Sequence, residues 1–381
     1  MRIANLKASL HEFPVELPGF DSALENRRLV FCEVETDEGI TGIGITGQFI
    51  PWATIATLER HILPAVKGMD PRETEAVHDT IARKLNPRGF TGAIAHALSA
   101  LDIALWDIRG KAEGHPIAAL LGGHARSALC YVTFGYPYFD IDQLKEYAGK
   151  FIAEGHDSLK MVVAQAAGGW KEDARRIRAV RQAIGDDIDL LIDANCGFGP
   201  EEALMLARAV EDCHLTWFEE PLSVNDPEAM ADLRRRVPVP LAAGQMDPDR
   251  WRHRALIQQR AVDYIQPNVC YSGGFTETLK IAHIAQAYNL AIANGGGWPI
   301  FNMHVQAGLA NGGRVEYHYG MWQAGKRLFK GTPDPEGNRM TIPDAPGLGF
   351  EPDREALRDT EIRNIEEDSR EGRDAHGYLQ R

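Results

Sequence analysis

Hydrophobic and polar residues follow different rhythms in successive parts of the chain. Residues 28–45 alternate apolar and polar positions on either side of Asp37-Glu38-Gly39, a pattern that predicts a β-hairpin. Residues 52–121 place apolar side chains at steps of three and four, which is typical of amphipathic helices. Strands followed by helices indicate a small α+β domain, which we assign to residues 1–125.

Beyond Gly122-Gly123, short apolar runs alternate with amphipathic stretches at regular intervals. Near-continuous apolar runs are typical of strands that are buried on both faces of a parallel sheet. Eight such runs predict a closed α/β barrel, a modified (β/α)8 TIM barrel, over residues 126–329. The runs are residues 128–134, 158–163, 190–195, 215–221, 239–244, 262–268, 290–296 and 315–320.

Composition narrows the class of function. The chain has 381 residues, 44% of them hydrophobic, with 41 basic and 54 acidic side chains and a net charge of −13. That balance argues against a nucleic-acid partner or an anionic membrane surface, although a small anionic substrate remains compatible with it. Five dispersed cysteines indicate neither a disulfide framework nor a zinc site. With no apolar stretch of 18 residues and no leader pattern, we expect a cytoplasmic protein.

Polar residues follow the predicted barrel strands at their carboxyl ends, where the chemistry of such barrels is located. Asp193 and Glu219 end consecutive strands, so their side chains should converge. Two carboxylates in a shielded mouth predict a Mg²⁺ site, whereas each acid alone could instead cap the helix that follows it. The polar residues at these strand ends are Lys160, Asp193, Asn195, Glu219, Glu220, Gln245, Asn268, Asn294 and Glu316.

Several segments together resemble the enolase superfamily, in its mandelate racemase/muconate lactonizing enzyme branch. They are residues 99–123 and the segments LLIDANCGF, WFEEPL, PLAAGQ, IQPNVCYSGGFTE and NGGGWPIFNMH, in the order of that branch. The resemblance implies a (β/α)7β barrel and an α+β cap, formed by the N-terminal domain and completed by about residues 330–381. It also implies one Mg²⁺ ion and removal of a proton next to a substrate carboxylate, through an ene-diolate.

The resemblance assigns three metal ligands to Asp193, Glu219 and Gln245. The family has a carboxylate at the third position, so Gln245 is a departure from its pattern. An amide oxygen can bind a hard cation but brings no charge. Weaker Mg²⁺ retention is therefore expected, and a pocket that holds no divalent ion is the alternative.

The family's usual bases are also replaced in this chain. Lys160 matches the first lysine of a KxK motif, but the second lysine, the usual base, is Val162. Asn268 and Asn294 stand where the family has an Asp–His dyad. The candidate catalytic residues are Lys160, Glu316, Asn268 and Asn294. Lys160 acts either as proton carrier or as electrostatic partner of the substrate, and Glu316 could instead form a salt bridge. The two asparagines are not useful bases, but paired amides can hold each other and donate hydrogen bonds.

Other candidates are expected around the mouth. The substrate pocket is predicted to include Asn195, Arg88, Phe20, Trp52 and Trp298. Three further candidate proton carriers lie near the strand ends: Tyr271, His304 and His318. His304 falls in a predicted helix. His318 shares a face with Glu316 only if the last strand continues.

The resemblance favours a Mg²⁺-dependent acid-sugar dehydratase that acts on a small carboxylate. A racemase, epimerase or cycloisomerase on the same framework is the second hypothesis. The third is a non-catalytic protein that binds a carboxylate or sugar acid, because both usual bases and one ligand charge are missing. By analogy with the family we expect a homo-oligomer.

Overall fold

The computed structural model describes residues 1–16, 25–89, 91–366 and 368. Phe20, a predicted pocket residue, lies outside these ranges. No helix in the described part of the chain is long and apolar enough to cross a membrane.

The N-terminal domain is built on an antiparallel sheet. Its strands are β1 (Ile3–Val15), β2 (Glu25–Thr36) and β3 (Thr41–Thr46). Strands β2 and β3 form the predicted hairpin, whereas β1 was not predicted. The short strand Glu361–Ile362 pairs with β1, so a C-terminal segment belongs to this sheet.

Helices cover one face of the cap sheet. Their bounds are Pro51–Ala56, Thr57–Ile62 (π-helical), Leu63–Val66, Thr74–Leu85, Ala93–Glu113 and Ile117–Leu121. The long helix Ala93–Glu113 packs directly on β3, where a Cβ atom at Gly42 or Gly44 would lie 2.1 Å from Ala104 O or 2.0 Å from Ala100 O. Only glycine permits this approach, which fixes the cap sheet on the helix.

The second domain is the predicted barrel. Eight parallel strands follow one another in sheet order, and the eighth pairs with the first. They are β4 (Ser127–Phe134), β5 (Ser158–Val162), β6 (Asp189–Asp193), β7 (Phe218–Glu219), β8 (Leu241–Ala243), β9 (Tyr264–Ile265), β10 (Ala291–Ile292) and β11 (Arg314–His318).

Seven helices alternate with these strands, which gives the (β/α)7β arrangement. They are Ile141–Ala153, Gly169–Ile184, Pro200–Ala209, Pro227–Arg236, Arg250–Gln258, Gly274–Ala287 and Pro299–Gly308. Single 3₁₀ turns lie at Glu211–Cys213 and Ser223–Asn225. Between β10 and β11 the barrel is closed by two backbone bonds, from Ile292 N to Asn311 O (2.9 Å) and from Asn294 N to Arg314 O (2.8 Å).

The remaining segments return from the barrel to the cap. They are the helices Tyr319–Leu328 and Arg354–Thr360 and the strands Phe329–Lys330, Arg339–Thr341 and Glu351–Pro352. Inside the barrel a small apolar cluster, which includes Tyr131, Leu191 and Trp217, fills the space below the strand ends. The open end above it is where polar side chains converge.

Candidate active site

Strand register brings the acidic residues together. Val162 at the end of β5 lies beside Asp193 at the end of β6, and Asp193 lies beside Glu219 at the end of β7. Gln245 follows β8, the next strand in the sheet. The predicted set of ligands therefore lies at one mouth of the barrel.

A buried lysine forms the centre of this group. Lys160 Nζ lies 2.7 Å from Glu219 Oε1 and 3.0 Å from both Asp193 Oδ2 and Glu316 Oε1, and its side chain is fully buried. Burial alone lowers the pKa of Lys160, but the three carboxylates outweigh burial and raise this pKa well above its ordinary value. This arrangement therefore favours the ammonium form of Lys160.

Glu219 is held on both of its oxygen atoms. Its Oε2 accepts hydrogen bonds from Trp217 Nε1 (3.1 Å) and Gln266 Nε2 (2.9 Å), while Oε1 faces Lys160. Burial and the neighbouring Asp193 carboxylate raise the pKa of Glu219 well above its ordinary value. The site thus favours a cation that neutralises this acid.

Glu316 is fixed in a similar way. Oε1 accepts from Thr133 Oγ1 and from Lys160, and Oε2 accepts from the backbone N–H of Gly297 at 2.6 Å. Burial raises the pKa of Glu316, but the charge of Lys160 and the hydrogen bonds from Thr133 and Lys160 outweigh burial and hold this pKa below its ordinary value. The carboxylate is an ionised anchor for Lys160.

The amide at position 245 is explained by its neighbour. Gln245 Nε2 donates to Glu220 Oε2 at 2.5 Å, and Glu220 Oε1 accepts from Asn225 Nδ2 at 2.8 Å. Burial and the nearby Asp193 raise the pKa of Glu220 to about 7. A glutamate at 245 would place a second carboxylate against Glu220, whereas the amide supplies a donor and leaves its own oxygen for the mouth.

Asn268 and Asn294 brace the glycine loop after β10. Asn268 Nδ2 donates to the carbonyls of Gly295 (2.7 Å) and Gly297 (3.2 Å), and Asn294 Nδ2 donates to Gly295 O (2.7 Å). Asn294 Oδ1 also accepts from Glu316 N at 3.0 Å. These bonds occupy both amides with backbone partners and hold the loop in place, and a catalytic role for the two asparagines stays a prediction.

A small cavity of about 60 Å³ lies next to the carboxylate cluster, between barrel and cap. Asp193, Gln245 and Glu316 reach its wall. Val162 also lines it, so an aliphatic group stands where the family's second lysine is expected. Further lining residues are Arg27, Thr133, Tyr136, Gln165, Asn195, Met246, Gly296, His318 and Met321.

His318 contributes a neutral imidazole to this wall. Its Nε2 lies 3.4 Å from Tyr136 Oη, and within the described part of the chain Nδ1 has no hydrogen-bond partner. Burial and the guanidinium of Arg27 lower the pKa of His318 to about 3. The ring therefore keeps a lone pair at neutral pH.

The predicted pocket residues lie in different places. Asn195 lines the cavity, and its backbone N–H donates to Asp193 Oδ1 at 2.8 Å. Arg88 is exposed, and Trp52 packs against the core of the cap. Trp298 is buried and donates its indole N–H to Tyr271 Oη at 2.9 Å. Of these four residues, only Asn195 is part of the cavity wall.

Four polar or charged residues of the cavity wall were not predicted from the sequence. Thr133 lies near the end of the first barrel strand, and its polar side chain in an apolar run was a usable signal. Tyr136 and Gln165 lie in loops just after strands. Arg27 reaches the cavity from β2, and nothing in its local sequence pattern distinguishes it from a surface residue.

Comparison with known families agrees with this architecture. Residues 9–122 match the family model of the mandelate racemase/muconate lactonizing enzyme N-terminal domain, and residues 143–356 match that of the enolase C-terminal domain-like family. The chain belongs to the mandelate racemase/muconate lactonizing enzyme family.

Within this family the chain is similar to several characterised proteins. It is 33% identical to D-galactarolactone cycloisomerase of Agrobacterium fabrum, over 95% of this chain and 99% of the relative. It is 30% identical to L-talarate/galactarate dehydratase of Salmonella typhimurium, whose structure superposes with a TM-score of 0.85. That match covers 95% of this chain and 92% of the dehydratase. A racemase from Streptomyces coelicolor with bound magnesium is 25% identical, covers 94% of this chain and 100% of its own, and gives a TM-score of 0.86.

The residues at the mouth of this family member fit one Mg²⁺ ion. Among the described residues no three His, Cys, Asp or Glu side chains are grouped to hold a metal. A third oxygen ligand beside Asp193 and Glu219 would come from the Gln245 amide, as the sequence predicts. A Cβ atom at Gly295 would lie 2.8 Å from Glu219 Oε1 and 3.0 Å from Gln245 Oε1, which shows that these oxygens converge beside a residue without a side chain. Lys160 now neutralises Asp193 and Glu219, and a bound cation would share them with it.

Proposed function

We propose that this family member is a lyase that dehydrates an acid sugar. The observation that supports this most is the division of the cavity: carboxylates held by a buried ammonium lie at one side, and neutral hydrogen-bonding groups stand among aliphatic and thioether side chains over the rest. Thr133, Gln165 and Asn195 provide those groups. A substrate with one carboxylate and several hydroxyl groups matches this division.

Lys160 has the clearest role in this reaction. A proton next to a carboxylate is weakly acidic, and its removal places negative charge on the carboxylate oxygens. A permanently charged ammonium beside those oxygens favours that change, and Glu316 keeps the ammonium in position at 3.0 Å. Mg²⁺ held by Asp193, Glu219 and Gln245 would add positive charge at the same oxygens.

The neutral amide at 245 changes the charge of the site. Relative to a carboxylate about 4 Å from the doubly charged ion, it removes ~8 kcal/mol of attraction at an effective dielectric constant near 20. The cation is therefore held less tightly, but an anionic substrate meets less repulsion. This combination suits an enzyme that binds its metal and its substrate together.

The proposal is tested with a panel of aldonic and aldaric acids, each incubated with Mg²⁺ or with EDTA. We expect a 2-keto acid from at least one compound, detected as its semicarbazone. Asp193→Asn should lower the rate at least ~100-fold, because it removes a ligand charge. The matched control is Asp212→Asn, at an exposed acid that pairs with Arg178 at 2.6 Å, and it should leave the rate unchanged.

Folding of both variants is checked by their thermal midpoints. Absence of keto acid with every member of the panel would contradict the proposal. If some acids nevertheless shift the thermal midpoint, the non-catalytic binding hypothesis is favoured.

A cycloisomerase is the second candidate, favoured by the 33% identical relative that matches over 95% of this chain. Such an enzyme opens or isomerises a lactone without net loss of water. Sugar lactones therefore form a second arm of the panel. Consumption of a lactone without formation of keto acid from any free acid would favour this candidate over the dehydratase.

A further inference from the structure

We infer that His318, assisted by Tyr136, is the group that takes the proton from the substrate. The inference rests on the proposed removal of a proton next to a carboxylate. It assigns a catalytic role to a residue at the end of β11, a strand that otherwise contributes Glu316 to the site.

The other titratable side chains of the wall are unsuited to this role. Asp193 and Glu316 are each 3.0 Å from Lys160 Nζ and serve to neutralise it. Arg27 is a permanent cation, which cannot accept a proton. Tyr136 is a phenol and a proton donor at neutral pH.

His318 has the geometry that the role requires. It is part of the cavity wall, and the Nε2 edge of its ring lies 3.4 Å from Tyr136 Oη, which lines the same cavity. The Nδ1 atom is buried and has no hydrogen-bond partner among the described residues. Nε2 is therefore the ring nitrogen with a polar neighbour, and the phenol of Tyr136 can orient the ring.

The surrounding charges suit a base that becomes charged during the reaction. Burial, Arg27 and Lys160 lower the pKa of His318, whereas Glu316 raises it. An anionic substrate adds a further negative charge in the cavity, so protonation of His318 becomes easier when substrate is bound. The imidazole is therefore neutral before binding and more basic afterwards.

The proposed step balances in atoms and electrons. The bond between the α-carbon and its hydrogen breaks, His318 takes the proton, and the electron pair forms the ene-diolate. The neighbouring carbon–oxygen bond then breaks, and the departing hydroxyl leaves as water with the proton that His318 carries. The resulting enol becomes a 2-keto acid by tautomerisation, with no oxidant or reductant required.

The test compares wild type with His318→Gln and Tyr136→Phe on the acid that the wild type dehydrates. We expect His318→Gln to lower kcat at least ~100-fold, the usual contribution of a general base, while KM changes less than about threefold. Exchange of the α-proton with D₂O should also be lost. Tyr136→Phe, which keeps the ring but removes the hydroxyl, should lower kcat about tenfold.

His156→Gln is the matched control. His156 is also buried, and its Nδ1 has no hydrogen-bond partner among the described residues. It precedes β5, at the opposite end of the barrel, so its replacement should leave kcat unchanged. If His318→Gln does not fold, His318→Ala with added imidazole replaces it, and partial rescue of the rate is expected.

The outcomes separate the two proposals. A wild type that turns over while His318→Gln keeps both kcat and α-proton exchange overturns this inference and leaves the dehydratase intact. A folded His318→Ala variant that is fully active without imidazole also overturns this inference and leaves the dehydratase intact. A wild type that neither exchanges nor dehydrates any acid overturns both.

Discussion

Replacement of Lys160 by methionine tests the charge balance of the site. The ammonium makes contacts of 2.7 to 3.0 Å with three buried carboxylates. Each contact corresponds to roughly 6 kcal/mol of Coulomb attraction at an effective dielectric constant of 20, most of which is offset by the cost of burying the charges. Removal of one partner of a buried ion pair costs about 3–5 kcal/mol, and we expect Lys160→Met to lose that much unfolding free energy in EDTA.

Magnesium should restore part of this loss, because a divalent cation can neutralise the acids that methionine leaves unpaired. Urea unfolding in EDTA and in Mg²⁺ measures both effects through the transition midpoint. The control is Lys326→Met: Lys326 lies 2.7 Å from Asp334 but is 41% exposed, so its loss should cost less than about 1 kcal/mol. The reasoning is refuted if Lys160→Met is as stable as wild type in EDTA, or if Mg²⁺ stabilises wild type more than the variant.

Three further substitutions test other parts of the structure. Gly295→Ala should weaken Mg²⁺ binding at least ~10-fold in calorimetry, because its Cβ would lie 2.8 Å from Glu219 Oε1; unchanged affinity would place the metal elsewhere. Asn268→Asp, although it introduces the family's residue, should cost about 1–3 kcal/mol in urea unfolding, because a carboxylate cannot donate to the two carbonyls that Asn268 binds. His304 has a pKa lowered to about 4 by burial, so its contribution to stability is present above about pH 6.5 and is lost as the pH falls toward 4, by up to ~3 kcal/mol. His304→Gln should flatten the dependence of stability on pH in that window, and an unchanged slope would contradict the assignment.

The barrel could be predicted because its strands are short, apolar and regularly spaced, and because Asp193 and Glu219 end two neighbouring strands. Their approach follows from parallel register alone. The first cap strand, Ile3–Val15, was missed because its apolar and polar positions alternate irregularly, with a register shift near its start. Its place is set by pairing with residues far along the chain, which a local pattern does not reveal.

The site was less predictable, because its side chains are coupled across elements. The role of Gln245 depends on Glu220, which is 25 positions away and had no assigned role. Lys160 was considered as a proton carrier, but three acids from different strands keep it charged. His318 could not be placed until β11 was seen to extend to it, which puts it on the same face as Glu316.

Proton nuclear magnetic resonance of the best acid sugar in D₂O, with enzyme and Mg²⁺, tests the central claim most directly. If the cavity removes the proton next to the carboxylate and then expels water, the α-proton signal disappears and a 2-keto acid forms with one deuterium at the carbon that lost its hydroxyl. An acid that binds in the cavity but keeps its α-proton signal and gives no keto acid would contradict the account.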